Sequence, residues 1–139
     1  MTHIPYSYKR PRSERYIFTS IGKKSIEKVI DFVPIGVKNI MNLGFGDLLP
    51  DGSVDDTANS NNGDIVKILA TIIAIIKNFT TEYPHVEIFF AGSTIERTKL
   101  YTRILRTYYS TFSKEFTISA ITGSENNNKR IAFDPKAGI

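Results

Sequence analysis

Gly92-Ser93-Thr94, followed by Glu96 and Arg97, is the stretch whose residue types and spacing most readily do chemistry. A short glycine-led turn into a helix leaves backbone N–H groups unpaired at the positive end of the helix dipole, and such an end binds anions. Stepping about 100° per residue stacks Arg97 over Leu100, Tyr101, Ile104 and Tyr108, the helix face that turns toward a sheet. An arginine on that face needs a buried acid or a ligand, because an unpaired buried charge is expensive. Two readings stay open. In one, Gly92, Ser93, Thr94 and Arg97 hold a phosphate or carboxylate. In the other, Ser93 and Glu96 form a capping box and Arg97 pairs with Asp47 or Asp64.

Asp47, Asp51, Asp55, Asp56 and Asp64 make residues 47–64 acidic with no intervening base. Clustered carboxylates and amide oxygens suit a hard divalent cation such as magnesium or calcium, with Asp47, Asp56 and Asp64 as ligands. The spacing does not match a calcium-binding loop, and a solvated acidic loop is the plainer alternative. Asn61 and Asn62 either contribute to a ligand site or cap the helix that follows. Lys99, Arg103 and Arg106 recur on the outer face of the helix after Gly92, and Lys9, Arg10, Arg12 and Arg15 lie near the start of the chain with Tyr6 and Tyr8. Bases of this kind contact phosphates while aromatic rings stack on nucleobases, so nucleic acid is one expected partner. The alternatives are an ordinary solvated helix face, or self-association in which the acidic loop docks on another copy's basic helix.

The wider composition narrows the field. The 139-residue chain carries 18 Lys plus Arg against 14 Asp plus Glu, a net +4 that permits an acidic partner without requiring one. The absence of cysteine excludes thiolate metal sites, cysteine nucleophiles and disulfide scaffolds. His3 and His85 are too few for a histidine-rich metal centre, and His85, placed after Pro84 at a strand start, reads as structural. No Ser-His-Asp order, phosphate-binding glycine loop or dinucleotide fingerprint is present, and no cofactor is evident. With 41% hydrophobic residues the chain can fill a core. The longest apolar run, Ile68 to Ile76 between Lys67 and Lys77, is far shorter than the ~20 residues that cross a bilayer. The N-terminal residues lack a secretion signal, so a cytoplasmic location without membrane contact is expected.

These residues must be positioned by elements that the patterning predicts. Residues 1–12, broken by Pro5 and Pro11, read as an arm. Residues 16–21, 25–33 and 38–46 read as three strands joined by short turns, an antiparallel meander. Residues 47–63 form a long polar loop, and a helix spans 64–79 with Asp64, Lys67, Thr71 and Asn78 on one narrow polar stripe. A buried strand over 86–91, a helix to about Phe112 and a strand over 116–121 follow, with 123–139 as loop and tail except for a short strand at 131–133. The prediction is a single α+β domain over 13–122 in the order β-β-β-α-β-α-β, with a mixed sheet and two main helices.

A three-strand meander followed by αβαβ resembles the ribonuclease H-like fold, and Ser60-Asn61-Asn62 before an apolar helix is similar to the Thr-Asn-Asn that opens the first helix of those nucleases. The resemblance implies a two-metal site of acids on the first strand, the first helix and the fourth strand. Here the first strand offers Thr19 and Ser20, the fourth ends in Ala91-Gly92-Ser93, and of the acids Asp64 alone remains. That argues against nuclease chemistry. The chain as a whole resembles a family of small uncharacterised bacterial proteins through Ser20-Ile21-Gly22-Lys23-Lys24, Asn42-Leu43-Gly44-Phe45-Gly46-Asp47, Ser60-Asn61-Asn62-Gly63-Asp64 and Gly92-Ser93-Thr94-Ile95-Glu96-Arg97-Thr98 with Leu100-Tyr101. This resemblance implies membership and no mechanism. The leading expectation is a non-catalytic module binding a phosphate-bearing ligand or nucleic acid where the Gly92 turn, the Asn61–Asp64 helix start and the first strand converge. The rivals are a metal-dependent phosphodiesterase using Asp47, Asp56 and Asp64, and a self-assembly domain.

Overall fold

Inward residues at every second position build the central strands, although Val29 is buried as well, on the opposite face. In β2 (Arg15–Ile21), Tyr16, Phe18 and Ser20 are buried while their neighbours are partly or fully exposed. In β3 (Ser25–Pro34) the same face carries Lys28, Ile30 and Phe32, which pair in register with Phe18, Tyr16 and their counterparts Asp47, Phe45 and Leu43 of β4 (Ile40–Leu48). Period-two alternation of this kind is what a half-buried antiparallel sheet requires. The computed structural model describes residues 4–56, 62–89, 99, 102–103, 105–106, 108–114, 116–117, 119–122 and 129–132.

Helix α1 (Ile65–Glu82) lies on that face. Its β-branched isoleucines are middling helix formers, so packing rather than propensity holds it. Ile68, Ile75, Ile76 and Phe79 meet Tyr16, Phe18, Ile30, Phe32 and Leu43 in one core, with Phe32 and Phe79 stacked at 4.0 Å. Each fully buried side chain of this size contributes about 1.5–3 kcal/mol. Pro84, two residues past the end of α1, cannot continue the helix. Among the described residues no helix is long and apolar enough to cross a membrane.

The sheet runs β1-β2-β3-β4-β5, all antiparallel, and β6 (Glu87–Phe89) pairs in parallel with residues 40–42 of β4. A separate hairpin joins β7 (Ser119–Thr122) to β8 (Lys129–Ala132), and a short α2 covers Tyr109–Phe112. This is the expected α+β class with a mixed sheet, and the meander sits where its patterning placed it.

Four expectations are corrected. Residues 8–12, read as an arm, form β1 (Tyr8–Arg12), which pairs with β2 through an irregular register that tolerates Pro11 at the sheet edge. The loop over 47–63 begins as a hairpin, because Leu49 and Ser53 pair across the turn and β5 (Val54–Asp55) returns along β4. The strand expected from Phe116 starts three residues later, at Ser119, and Phe116 packs instead against the α1 core. The ribonuclease H-like order is also not the one observed. That order sets the strand after the first helix beside the first meander strand. Here both edges of that strand, β2, are taken by β1 and β3, and β6 lies beside β4.

Candidate functional site

Asn62 organises the end of the sheet from which α1 departs. Its amide nitrogen donates to the Lys24 carbonyl (2.8 Å) and the Ser20 hydroxyl (3.0 Å), and its Oδ1 accepts the Lys24 N–H at 2.8 Å. The Asn62 carbonyl accepts the Lys23 N–H at 3.2 Å. Asn62 is therefore a clamp on the β2–β3 turn and not an exposed ligand donor, and burial leaves it 6% exposed. Gly63 then takes a positive φ of 83°, which turns the chain into α1 at a position glycine adopts freely.

Asp64 stands at the N-cap of α1, yet its side chain makes no capping hydrogen bond. It points to the sheet. Oδ2 accepts the Ser20 hydroxyl at 2.6 Å and the Tyr6 phenol at 2.5 Å. Oδ1 is buried and has no hydrogen-bond partner among the described residues. A buried carboxylate oxygen with no donor loses the water it would otherwise hold, at about 1–3 kcal/mol or more.

Tyr6 reaches this cluster from the N-terminal segment. Its hydroxyl also accepts the Ile21 N–H at 3.0 Å, and its own N–H donates to Thr71 Oγ1 at 2.8 Å. The ring stacks on Phe18 at 5.8 Å, and Lys67 Nζ lies 4.5 Å from its centroid. Burial, followed by the hydrogen bond to Asp64, raises the Tyr6 phenol above its ordinary pKa. Farther along α1, Arg10 reaches Asn78 Oδ1 at 3.3 Å and Glu82 at 2.6 Å. The polar stripe of α1 is thus the seam along which the N-terminal segment and β1 lie.

A second polar pair shares the helix-facing side. Phe18, Lys28, Asp47 and Asp55 are consecutive register partners across four strands. Lys28 Nζ meets Asp47 Oδ1 at 2.5 Å, both residues being buried. Phe18 stacks on Phe45 at 6.4 Å and Lys28 Nζ lies 5.7 Å from the Phe45 ring, so Tyr6, Phe18, Phe45 and Lys28 form a continuous surface linking the two clusters.

Of the expected site residues, the structure brings Asn62 and Asp64 together with Ser20 of the first meander strand. Gly92, Ser93, Thr94, Arg97 and Asn61 lie outside the described residues. Asp47, Asp56 and Asp64 do not converge: Asp47 is paired with Lys28, Asp56 is exposed after β5, and among the described residues no group of three acids or histidines is placed to hold a metal. Lys99 and Arg103 are exposed and helical, and Arg106 is half-buried with its Nε enclosed. Sequence reasoning missed Lys28, and it singled out Tyr6 as a stacking ring and Thr71 as part of the polar stripe without finding that they meet. Lys28 carried a usable signal, a lysine at an inward position between Ile26 and Ile30 of an alternating strand. Thr71 carried another, a lone hydroxyl inside the run Ile68–Ile76.

Fold and site together define a small α+β protein whose helix start, first meander strand and N-terminal segment meet at one carboxylate. The chain belongs to a family of unknown function, DUF6934, whose pattern matches residues 2–137. No curated protein and no solved structure matches it.

Proposed function

We propose that the protein is a non-catalytic binding module for a ligand that bears both a phosphate and a hydroxyl. The observation that carries the reading is Asp64 Oδ1, buried without a donor beside Ser20 at the junction of β2 and α1. A ligand hydroxyl supplies the missing hydrogen bond, and a charged acceptor makes it a strong one. The phosphate is assigned to the turn of Gly92, Ser93 and Thr94 with Arg97, on the sequence grounds given above. The same grounds admit the phosphate of a nucleic acid, with Lys99, Arg103 and Arg106 as further contacts.

Binding is favoured over catalysis because the other polar groups here are already engaged. Asp47 is neutralised by Lys28, and Asn62 spends its amide on the β2–β3 turn. That leaves one carboxylate whose described partners are the hydroxyls of Tyr6 and Ser20, weak acids that are poor material for proton transfer.

Titration calorimetry with adenosine 5′-monophosphate, ribose 5-phosphate and inorganic phosphate tests the reading. Saturable binding of the two sugar phosphates is expected, weakened at least tenfold by Asp64→Asn and by Arg97→Ala with the fold intact. Absence of binding for all three probes, or binding indifferent to both substitutions, overturns it. A single-stranded oligonucleotide in the same series separates the nucleic-acid source: its affinity should fall steeply with added salt if the polymer is the partner.

A further inference from the structure

Tyr6 is held at both ends by two residues one turn apart on α1. Asp64 takes its hydroxyl, and Lys67 sits over its ring. The phenol therefore occupies the acceptor oxygen next to the unpaired Oδ1, and the ring occupies the Lys67 ammonium. Apart from the Tyr6 ring, which stacks on Phe18 at the edge of the core, little else holds this part of the chain. Residues 4–7 belong to no strand or helix, and of the four only Tyr6 is shielded from solvent, with Ile4 78% exposed. Their described polar attachments run through Tyr6: its N–H to Thr71, and its hydroxyl to Asp64 and Ile21. Immediately afterwards β1 fastens the chain through the pairs Tyr8↔Phe18 and Lys9↔Ile17.

Resting on the binding reading above, we propose that residues 4–7 are a displaceable strap over the site, with the Tyr6 hydroxyl standing on Oδ2 where a second hydroxyl of the ligand binds beside the one on Oδ1. Opening the strap exchanges one hydroxyl on Asp64 Oδ2 for another and leaves Oδ1 open to a further ligand hydroxyl. It also frees Lys67 from the aromatic face, where a cation–π contact at an exposed position is weak, for a stronger charge-assisted contact with phosphate. Asp64 and Lys67, exposed together, present an acceptor and a cation to a ligand that carries a donor and an anion. β1 acts as the hinge anchor, since its pairing with β2 is independent of Tyr6.

Two measurements test this. Native-state hydrogen exchange reads the strap without ligand: the amides of Tyr6 and Ile21, which are donated to Thr71 and to the Tyr6 hydroxyl, should exchange together. Their protection should be at least ~100-fold below that of the β2–β3 ladder and insensitive to low denaturant. Exchange of both amides only with the ladder overturns the strap. Calorimetry with ribose 5-phosphate on the wild type and Tyr6→Phe reads the competition. Phenylalanine keeps the stack on Phe18 and removes the competing hydroxyl, so affinity should rise about threefold to tenfold. Equal affinity overturns the strap and leaves the binding reading standing, and weaker affinity makes Tyr6 a ligand contact instead. Binding by neither protein overturns both readings together.

Discussion

The backbone of Gly22 lies against the carbonyl of Asn62, so close that a β-carbon on residue 22 would stand 1.9 Å from that oxygen. The contact is made by backbone on backbone, so no rotamer change relieves it. It explains why a glycine is needed within the β2–β3 turn although that turn is solvent-exposed. Gly22→Ala should therefore destabilise the fold by about 1–3 kcal/mol, the usual cost of overpacking, or more if the clamp is expelled. Urea denaturation reads this as a lower midpoint. An unchanged midpoint would show that the turn and Asn62 are not rigidly joined.

Asn62→Ala should lower stability by a comparable amount for a different reason. The substitution leaves the Lys24 N–H without its described partner and takes one of two donors from the Lys24 carbonyl, which keeps the Gly22 N–H at 3.1 Å; a shielded polar group without a partner costs about 1–3 kcal/mol. If the clamp is a unit, Gly22→Ala and Asn62→Ala are not additive, and the double variant is less destabilised than the sum. Strict additivity in a double-mutant cycle would separate the two.

The buried Lys28–Asp47 pair makes an asymmetric prediction. Lys28→Met alone leaves an uncompensated carboxylate in the core and should cost about 3–5 kcal/mol. Replacing both partners, as Lys28→Met with Asp47→Leu, should recover most of that loss, because apolar residues of similar volume suit the neighbouring Phe18 and Phe45. Thermal unfolding of the two variants decides the matter, and a double variant as unstable as the single one would show that the pair fixes the β3–β4 register.

The first two strands of the meander were legible because inward residues recur at every second position, a pattern that Tyr16, Phe18, Ile30 and Phe32 display locally. Helix α1 was legible from its apolar run, within three residues at its end. The clamp and the strap were not, because their partners are far apart in the chain. Asn62 meets Ser20 across 42 residues and Tyr6 meets Asp64 across 58. Periodicity reports which side of an element faces solvent, and it is silent on which distant segment covers that side. The polar stripe of α1 illustrates the limit: Asp64, Thr71 and Asn78 were correctly grouped, but a stripe that receives Tyr6, Tyr16 and Arg10 looks the same in sequence as one that faces water. The arm was misread for the same reason, since Pro5, Pro11 and the basic residues mask a strand whose pairing partner is β2.

Tyr16 supplies a pH-dependent prediction. It is fully buried, donates its hydroxyl to Asn78 Oδ1 at 2.8 Å, and carries the Arg10 guanidinium 5.0 Å from its ring centroid. Burial pushes its phenol up to about 12, against the favourable but smaller influence of Arg10 on the ionised form. A folded pKa raised above the unfolded one means that the unfolded chain releases its proton first as pH rises. The stability tied to keeping Tyr16 neutral is thus fully present below pH 10 and is lost between 10 and about 12, in an amount on the order of 2 kcal/mol. Denaturation midpoints measured from pH 8 to pH 11.5 should fall across the upper part of that range. Tyr16→Phe removes the titrating group, loses the bond to Asn78, and should start less stable with a flatter profile. Equal slopes for the two proteins would assign the alkaline loss to another group, with Tyr6, whose phenol is also raised, as the next to replace.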